Sequence, residues 1–216
     1  MSGGIDRELS RFESVVLDTR RWLGATEILW LTAPAGSTTR QQLGPLQLEA
    51  LHEAAFLRVF GAWESYLEEC AVRFMAGQTT ASYPRVVPVE STTLDKTIAA
   101  ARLRLLNGRR FLLWHNPGTV VTRLQRYLVG CPVEDVLTTH QPRIDLLAAI
   151  RHRIAHTSDD ARTEFISAAT TIAGVNFDGV AGRMLRAANV GDGLTQRMWT
   201  YEFTEELRGY AIAIAA

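Results

Sequence analysis

Residues 51–74 read LHEAAFLRVFGAWESYLEECAVRF, and the spacing of their large apolar side chains decides the fold class. Phe56, Phe60, Trp63, Leu67, Cys70 and Phe74 follow one another by four, three, four, three and four residues. At about 100° per residue, that alternation keeps them on one stripe, the pattern of a helix with a single buried face. Pro45 suits the first turn of this helix, and Gly77 marks its end. Toward the N-terminus, Ile5, Leu9, Phe12, Val16, Thr19 and Leu23 repeat the pattern, and Ala33-Pro34-Ala35-Gly36-Ser37 breaks it.

Toward the C-terminus, Gln78 to Thr93 holds Pro84, Pro88 and many Ser/Thr, the composition of a long loop. Short helices are expected over 94–106 and 119–128, parted by Asn107-Gly108 and Asn116-Pro117-Gly118, and Gly130-Cys131-Pro132 breaks the chain again. A helix over 142–156 follows, then another opened by Thr157-Ser158-Asp159-Asp160, read as a T-x-x-D capping box. Two more helical patterns cover 180–189 and 201–215. Arg85-Val86-Val87-Pro88-Val89 is the sole strand candidate, and its proline demotes it. No internal repeat occurs. The expectation is an all-α bundle, with a main body over 1–175 and a C-terminal helical extension over 176–216 packed on the same domain.

Composition supports a globular chain. Of 216 residues, 47% are apolar and 21% charged, which excludes a disordered tail, a collagen-like fibre and a disulfide-stapled miniprotein. The 23 basic and 23 acidic residues balance, so no net field draws the whole molecule onto nucleic acid. A local basic face stays open, since every basic residue except Lys96 is Arg. Cys70 and Cys131 stand far apart with no C-x-x-C spacing, which argues against a zinc ribbon. The N-terminal residues lack a signal-peptide pattern and no apolar run reaches about 18 residues, so a cytoplasmic protein without a membrane span is expected.

No P-loop, dinucleotide or G-x-S-x-G pattern is present. Chemistry concentrates in Arg151-His152-Arg153-Ile154-Ala155-His156. His152 and His156, four apart, lie about 40° from each other on one helix face. This spacing resembles a zinc-protease pair, but Arg153 stands where that pattern needs its general-base Glu, and no third ligand is evident. Ile144, Leu147, Ile150 and Ile154 form an apolar arc, with the two histidines roughly opposite and Arg151 at its edge. Ala148, Ala149 and Ala155 share the histidine face and would let a second helix approach closely. The plainer alternative is a solvated helix end that happens to carry His and Arg.

The run Arg151 to His156 resembles the signature of the HEPN superfamily: Arg, a polar residue directly after it (here His152), and a His four to six residues on. Arg110 to His115 also matches the spacing, but Phe111 follows the Arg and the interior is apolar, as in a core segment. The helix over 51–69 is similar to the long early helix of HEPN proteins of the RiboL-PSP type, so the likeness maps onto about residues 5–175. It implies an all-α HEPN-like bundle of four to five main helices with additional short ones. The His-x-Tyr of some family members is missing, because Thr157-Ser158 follows His156.

The resemblance further implies a metal-independent endoribonuclease acting on single-stranded RNA, of toxin or defence type, needing no cofactor. RNA supplies its own nucleophile, the 2′-OH. Arg151, His152 and His156 would be catalytic: His156 as acid or base, Arg151 on the phosphate, and His152 positioning it or sharing the proton. Arg153 would hold a neighbouring phosphate. A homodimer is expected, and a cognate antitoxin or immunity protein is a further possible partner. The competing reading is a non-catalytic helical module that dimerises and binds RNA or protein.

Overall fold

The chain is all-α in a computed structural model that describes residues 3–90, 92–189 and 197–216. Helices α1 (Gly3–Thr32), α3 (Pro45–Met75), α7 (Gln141–Ala155), α8 (Asp159–Ala173) and α10 (Trp199–Ala215) are the long ones. Shorter helices are α2 (Thr38–Gln42), α4 (Ile98–Leu106), α5 (Pro117–Leu124), α6 (Pro132–Thr139) and α9 (Ala181–Arg186). A 3-10 turn, Phe177–Gly179, precedes α9. The small ribbon of β1 (Ala188–Asn189) and β2 (Arg197–Met198) pairs Ala188 with Met198 in antiparallel register. Among the described residues, no helix is long and apolar enough to cross a membrane.

The stripe on α3 is buried as its period requires: Phe56, Phe60, Trp63, Leu67, Cys70 and Phe74 are inaccessible. Each such Phe contributes about 1.5–3 kcal/mol by leaving water. On α1, Ile5, Phe12, Val16, Thr19 and Leu23 are likewise buried.

The strand candidate over 85–89, demoted by its proline, forms a single bridge, Pro88 with Leu128, since proline offers no N–H to a ladder. Several details differ from the sequence reading. α4 begins four residues late, where Thr97 accepts the Ala100 N–H with its hydroxyl and so caps the helix. The cap of α8 is Ser158, accepting from Ala161 N, so Thr157 does not open a capping box. Phe111 is exposed rather than core: burial alternates along its loop, with Leu112 and Trp114 buried and Phe111 and Leu113 exposed. The short α6 was not anticipated, although Pro132 at its first turn is the usual marker.

Contacts cluster into two units whose dividing points, after Glu13, Gly61, Asp145 and Leu207, all fall inside helices. The unit of residues 1–13, 62–145 and 208–216 has an aromatic core. Phe12 packs on Tyr66 with ring centroids 5.7 Å apart, and Trp63 lies 6.2 Å from Tyr210. The Tyr66 hydroxyl donates to Ala211 O at 2.8 Å, which satisfies the polar end of a buried ring. Buried Glu8 is paired by Arg11 and Arg73. Burial pushes its carboxyl up, but the hydrogen bonds and charges of the two arginines outweigh that and hold it below the usual carboxylate value.

The second unit, residues 14–61 and 146–207, centres on Phe56, Phe60, Trp199 and Phe203. Beside them lies a buried polar cluster. His52 Nε2 is 3.1 Å from Glu27 Oε1, and His52 Nδ1 is 2.8 Å from Thr200 Oγ1. Thr200 Oγ1 is also 2.8 Å from Leu185 O, and Arg186 donates twice to the Glu27 carboxylate. Burial pushes His52 below the ordinary histidine value, with Glu27 opposing and Arg186 adding to the depression. Neutral His52 donates through Nε2 to Glu27, and the single Thr200 hydroxyl proton is then shared between Nδ1 and Leu185 O.

In this unit α9 lies against α3 at Gly182, whose N–H donates to Glu53 Oε1 at 2.8 Å. A Cβ built on Gly182 would meet the backbone Glu49 O at 2.7 Å. Backbone cannot swing aside as a flexible side chain can, so Gly182→Ala should lose about 1–3 kcal/mol as an overpacking defect. Urea unfolding measures this; an unchanged midpoint would mean that α9 can lift from α3 without loss.

Candidate functional site

The Arg151–His156 segment closes α7, within the second unit. Ile144, Leu147 and Ile150 are fully buried and orient the helix, while Ile154 is only half-buried, so the apolar arc fades at the C-terminal turn. The last turn still holds, with His156 N–H donating to His152 O at 2.9 Å. Ser158 then starts α8 two residues on, so the two helices meet through a tight connection.

The structure brings His152 and His156 together: their ring centroids are 4.7 Å apart, edge to face at 76°. His156 is exposed, and the His152 side chain is 41% exposed, so neither is a core histidine. From α8, Glu164 Oε2 lies 2.8 Å from His152 Nδ1. That contact makes Nδ1 the nitrogen that donates to the carboxylate, so that Nε2 is the ring nitrogen not engaged by Glu164. Sequence reasoning missed Glu164. Its signal was the face of α8 next to the 157–158 turn, which must fold back beside the end of α7.

Arg151 is half-buried. On an ideal helix it lies about 140° around from His156, so one helix does not converge the two side chains. Arg153 is tied down: Nε donates to Gly179 O at 3.0 Å and Nη1 to His156 O at 3.3 Å. It thereby fixes the backbone of His156 against the 3-10 turn. Ala148 and Ala149 are half-buried and Ala155 is exposed. Chemically, the site offers a carboxylate-oriented imidazole, a second imidazole in contact with it, and cationic groups at the negative end of a helix dipole. Among the described residues, no group of three or more His, Cys, Asp or Glu is placed to hold a metal ion. The other candidate match, Arg110 to His115, lies in a loop of the first unit, where His115 Nδ1 is 2.9 Å from Glu64 Oε1.

Compared with protein families, with curated proteins and with solved structures, the chain matches none.

Proposed function

We propose that the end of α7 is the active site of a metal-independent endoribonuclease of HEPN type, cutting single-stranded RNA. The observation that carries this reading is the contacting His152–His156 pair, held off the core face with Glu164 orienting His152. In the proposed step, one imidazole takes the proton of the RNA 2′-OH as its oxygen attacks the adjacent phosphorus. The P–O5′ bond breaks, the leaving oxygen receives a proton from an imidazolium, and a 2′,3′-cyclic phosphate and a 5′-OH result. His156 carries the acid–base role and His152 positions the phosphate or shares the proton. Arg151 neutralises the charge growing on the phosphorane oxygens. Arg153 acts by fixing the His156 backbone and lends its charge to a neighbouring phosphate.

Because Arg151 and His156 diverge on one helix, the reading includes a two-fold homodimer that pairs α7 with α7 across Ala148, Ala149 and Ala155 and completes each site with the partner's residues. A cytoplasmic toxin or defence role, with an antitoxin or immunity protein as partner, follows from the same reading. A second reading, a non-catalytic RNA- or protein-binding dimer, is favoured by one observation: two nitrogens of Arg153 are already bonded to carbonyls.

The test is RNA cleavage in excess EDTA by the wild-type chain and by Ala155→Arg, with light scattering on both. Wild type should be dimeric, cut RNA in the chelator and spare DNA of the same sequence, since DNA lacks the 2′-OH. Ala155→Arg should be monomeric and inactive. Cleavage that stops in EDTA and returns with Zn²⁺ or Mg²⁺ would defeat the mechanism, and an active monomer would defeat the pairing.

A further inference from the structure

In the first unit, an open cavity of about 470 Å³ lies along α5, lined by Arg109, Asn116, Thr119, Thr122, Arg123 and Arg126. Thr119, Thr122, Arg123 and Arg126 fall within about 100° of arc on α5 and the turn that continues it. Val120 and Leu124, on the adjoining arc, are buried and anchor the helix. Arg109 arrives from the loop after α4, which Asn107 ends in a left-handed conformation (φ 46°). The lining therefore holds three guanidinium groups and no carboxylate.

Arg123 is the decisive member. It is 6% exposed, and its Nη1 is buried with no hydrogen-bond partner. No ion pair joins Arg109, Arg123 or Arg126 to an acid among the described residues. A guanidinium cannot shed its charge, and a buried charge without a partner is costly, so natural proteins pair such groups. Arg123 lines the cavity with other parts of the residue, together with the exposed Arg109 and Arg126. Three cations with planar donor forks, beside a threonine hydroxyl, suit a phosphoryl group, which is dianionic and presents three acceptor oxygens. The volume falls in the range of small-molecule sites, roughly 300–1,000 Å³, and leaves room for an organic body beyond the phosphate.

We propose that this cavity binds a small phosphate monoester, its phosphoryl group held by Arg109, Arg123 and Arg126. The assignment stands apart from the RNA-cleavage reading, whose residues are Arg151, His152 and His156.

Calorimetry and thermal unfolding of the full chain with adenosine monophosphate, inorganic phosphate and adenosine test it. The monophosphate should bind at least about tenfold more tightly than adenosine and raise the melting temperature, with inorganic phosphate giving a smaller rise. The double variant Arg109→Gln/Arg126→Gln, at two exposed positions, should weaken the monophosphate about tenfold or more. Arg123→Met should abolish the ligand-induced rise while melting higher than wild type without ligand, since an uncompensated buried charge is replaced by an apolar chain. No heat and no thermal shift up to about 10 mM ligand would overturn the proposal, as would equal binding of adenosine or undiminished binding by the double variant. Displacement of the monophosphate by single-stranded RNA lacking a terminal phosphate would also overturn it and assign the cavity to a polynucleotide backbone.

Discussion

His156→Ala is expected to cleave RNA at least about 10²-fold more slowly than wild type, the usual loss when a positioned acid–base group is removed. The same variant should keep its stability within about 0.5 kcal/mol, because an exposed side chain at the last turn of α7 leaves no cavity behind. Single-turnover cleavage and thermal unfolding on one preparation separate the two effects. Arg151→Ala should lose activity similarly and bind RNA more weakly. Glu164→Gln, which keeps a group able to hydrogen-bond His152 Nδ1 but removes the charge, should fall between wild type and His156→Ala. His115→Ala should leave cleavage near wild type and cost stability instead, by releasing Glu64. A folded His156→Ala protein that cuts RNA at the wild-type rate would remove the enzyme reading and leave the binding module.

Glu27→Ala should cost about 3–5 kcal/mol at neutral pH, the largest stability loss expected of any single change here. Glu27 is 6% exposed and receives His52 and two donors from Arg186, so its removal strands a buried histidine and a largely buried cation. The pH dependence follows from the direction of two shifts. Burial alone would raise the Glu27 carboxyl, but the bonds and charge of Arg186, with His52, leave it below its ordinary 4.5. Its stabilisation is therefore present above pH 4.5 and lost as the pH falls through the folded-state value. His52 is also depressed, from 6.5, so its contribution is whole above pH 6.5 and declines in the same direction on acidification. Wild type should thus weaken progressively below about pH 6.5 and again below about 4.5, while in Glu27→Ala the second step is smaller, reduced to what Glu8 still contributes. Denaturant unfolding at several pH values measures this; a loss under about 1 kcal/mol at pH 7 would show that water replaces the carboxylate.

The difference between what was legible and what was not follows the range of the physics. Helices α1, α3 and α10 were readable because the apolar period is local: each turn of backbone repeats the same demand for a buried face. The position of His152 and His156 off that face was readable for the same reason, since the buried Ile144, Leu147 and Ile150 fix the rotation of α7. α6 escaped because Gly130-Cys131-Pro132 reads as a break in the chain, whereas Pro132 occupies the first turn of a helix. Phe111 departs from the expectation because burial alternates along its loop, whereas an unbroken apolar run in sequence implies burial throughout.

Partners of single side chains were another matter. Glu164 reaches His152 across a turn, Arg186 reaches Glu27 over 159 positions, and Thr200 reaches His52 over 148. The arginines along α5 show helical spacing in the sequence, but neither the burial of Arg123 nor the cavity beside it does. By itself, the sequence determined the helical architecture and which face of α7 carries His152 and His156, because backbone periodicity settles both within a few turns. Only the tertiary structure decided which carboxylate orients His152, which charges are compensated and which one is left beside an open cavity. Those outcomes depend on where segments far apart in the chain converge, and hydrogen bonds and ion pairs act over a few ångströms of space rather than along the sequence.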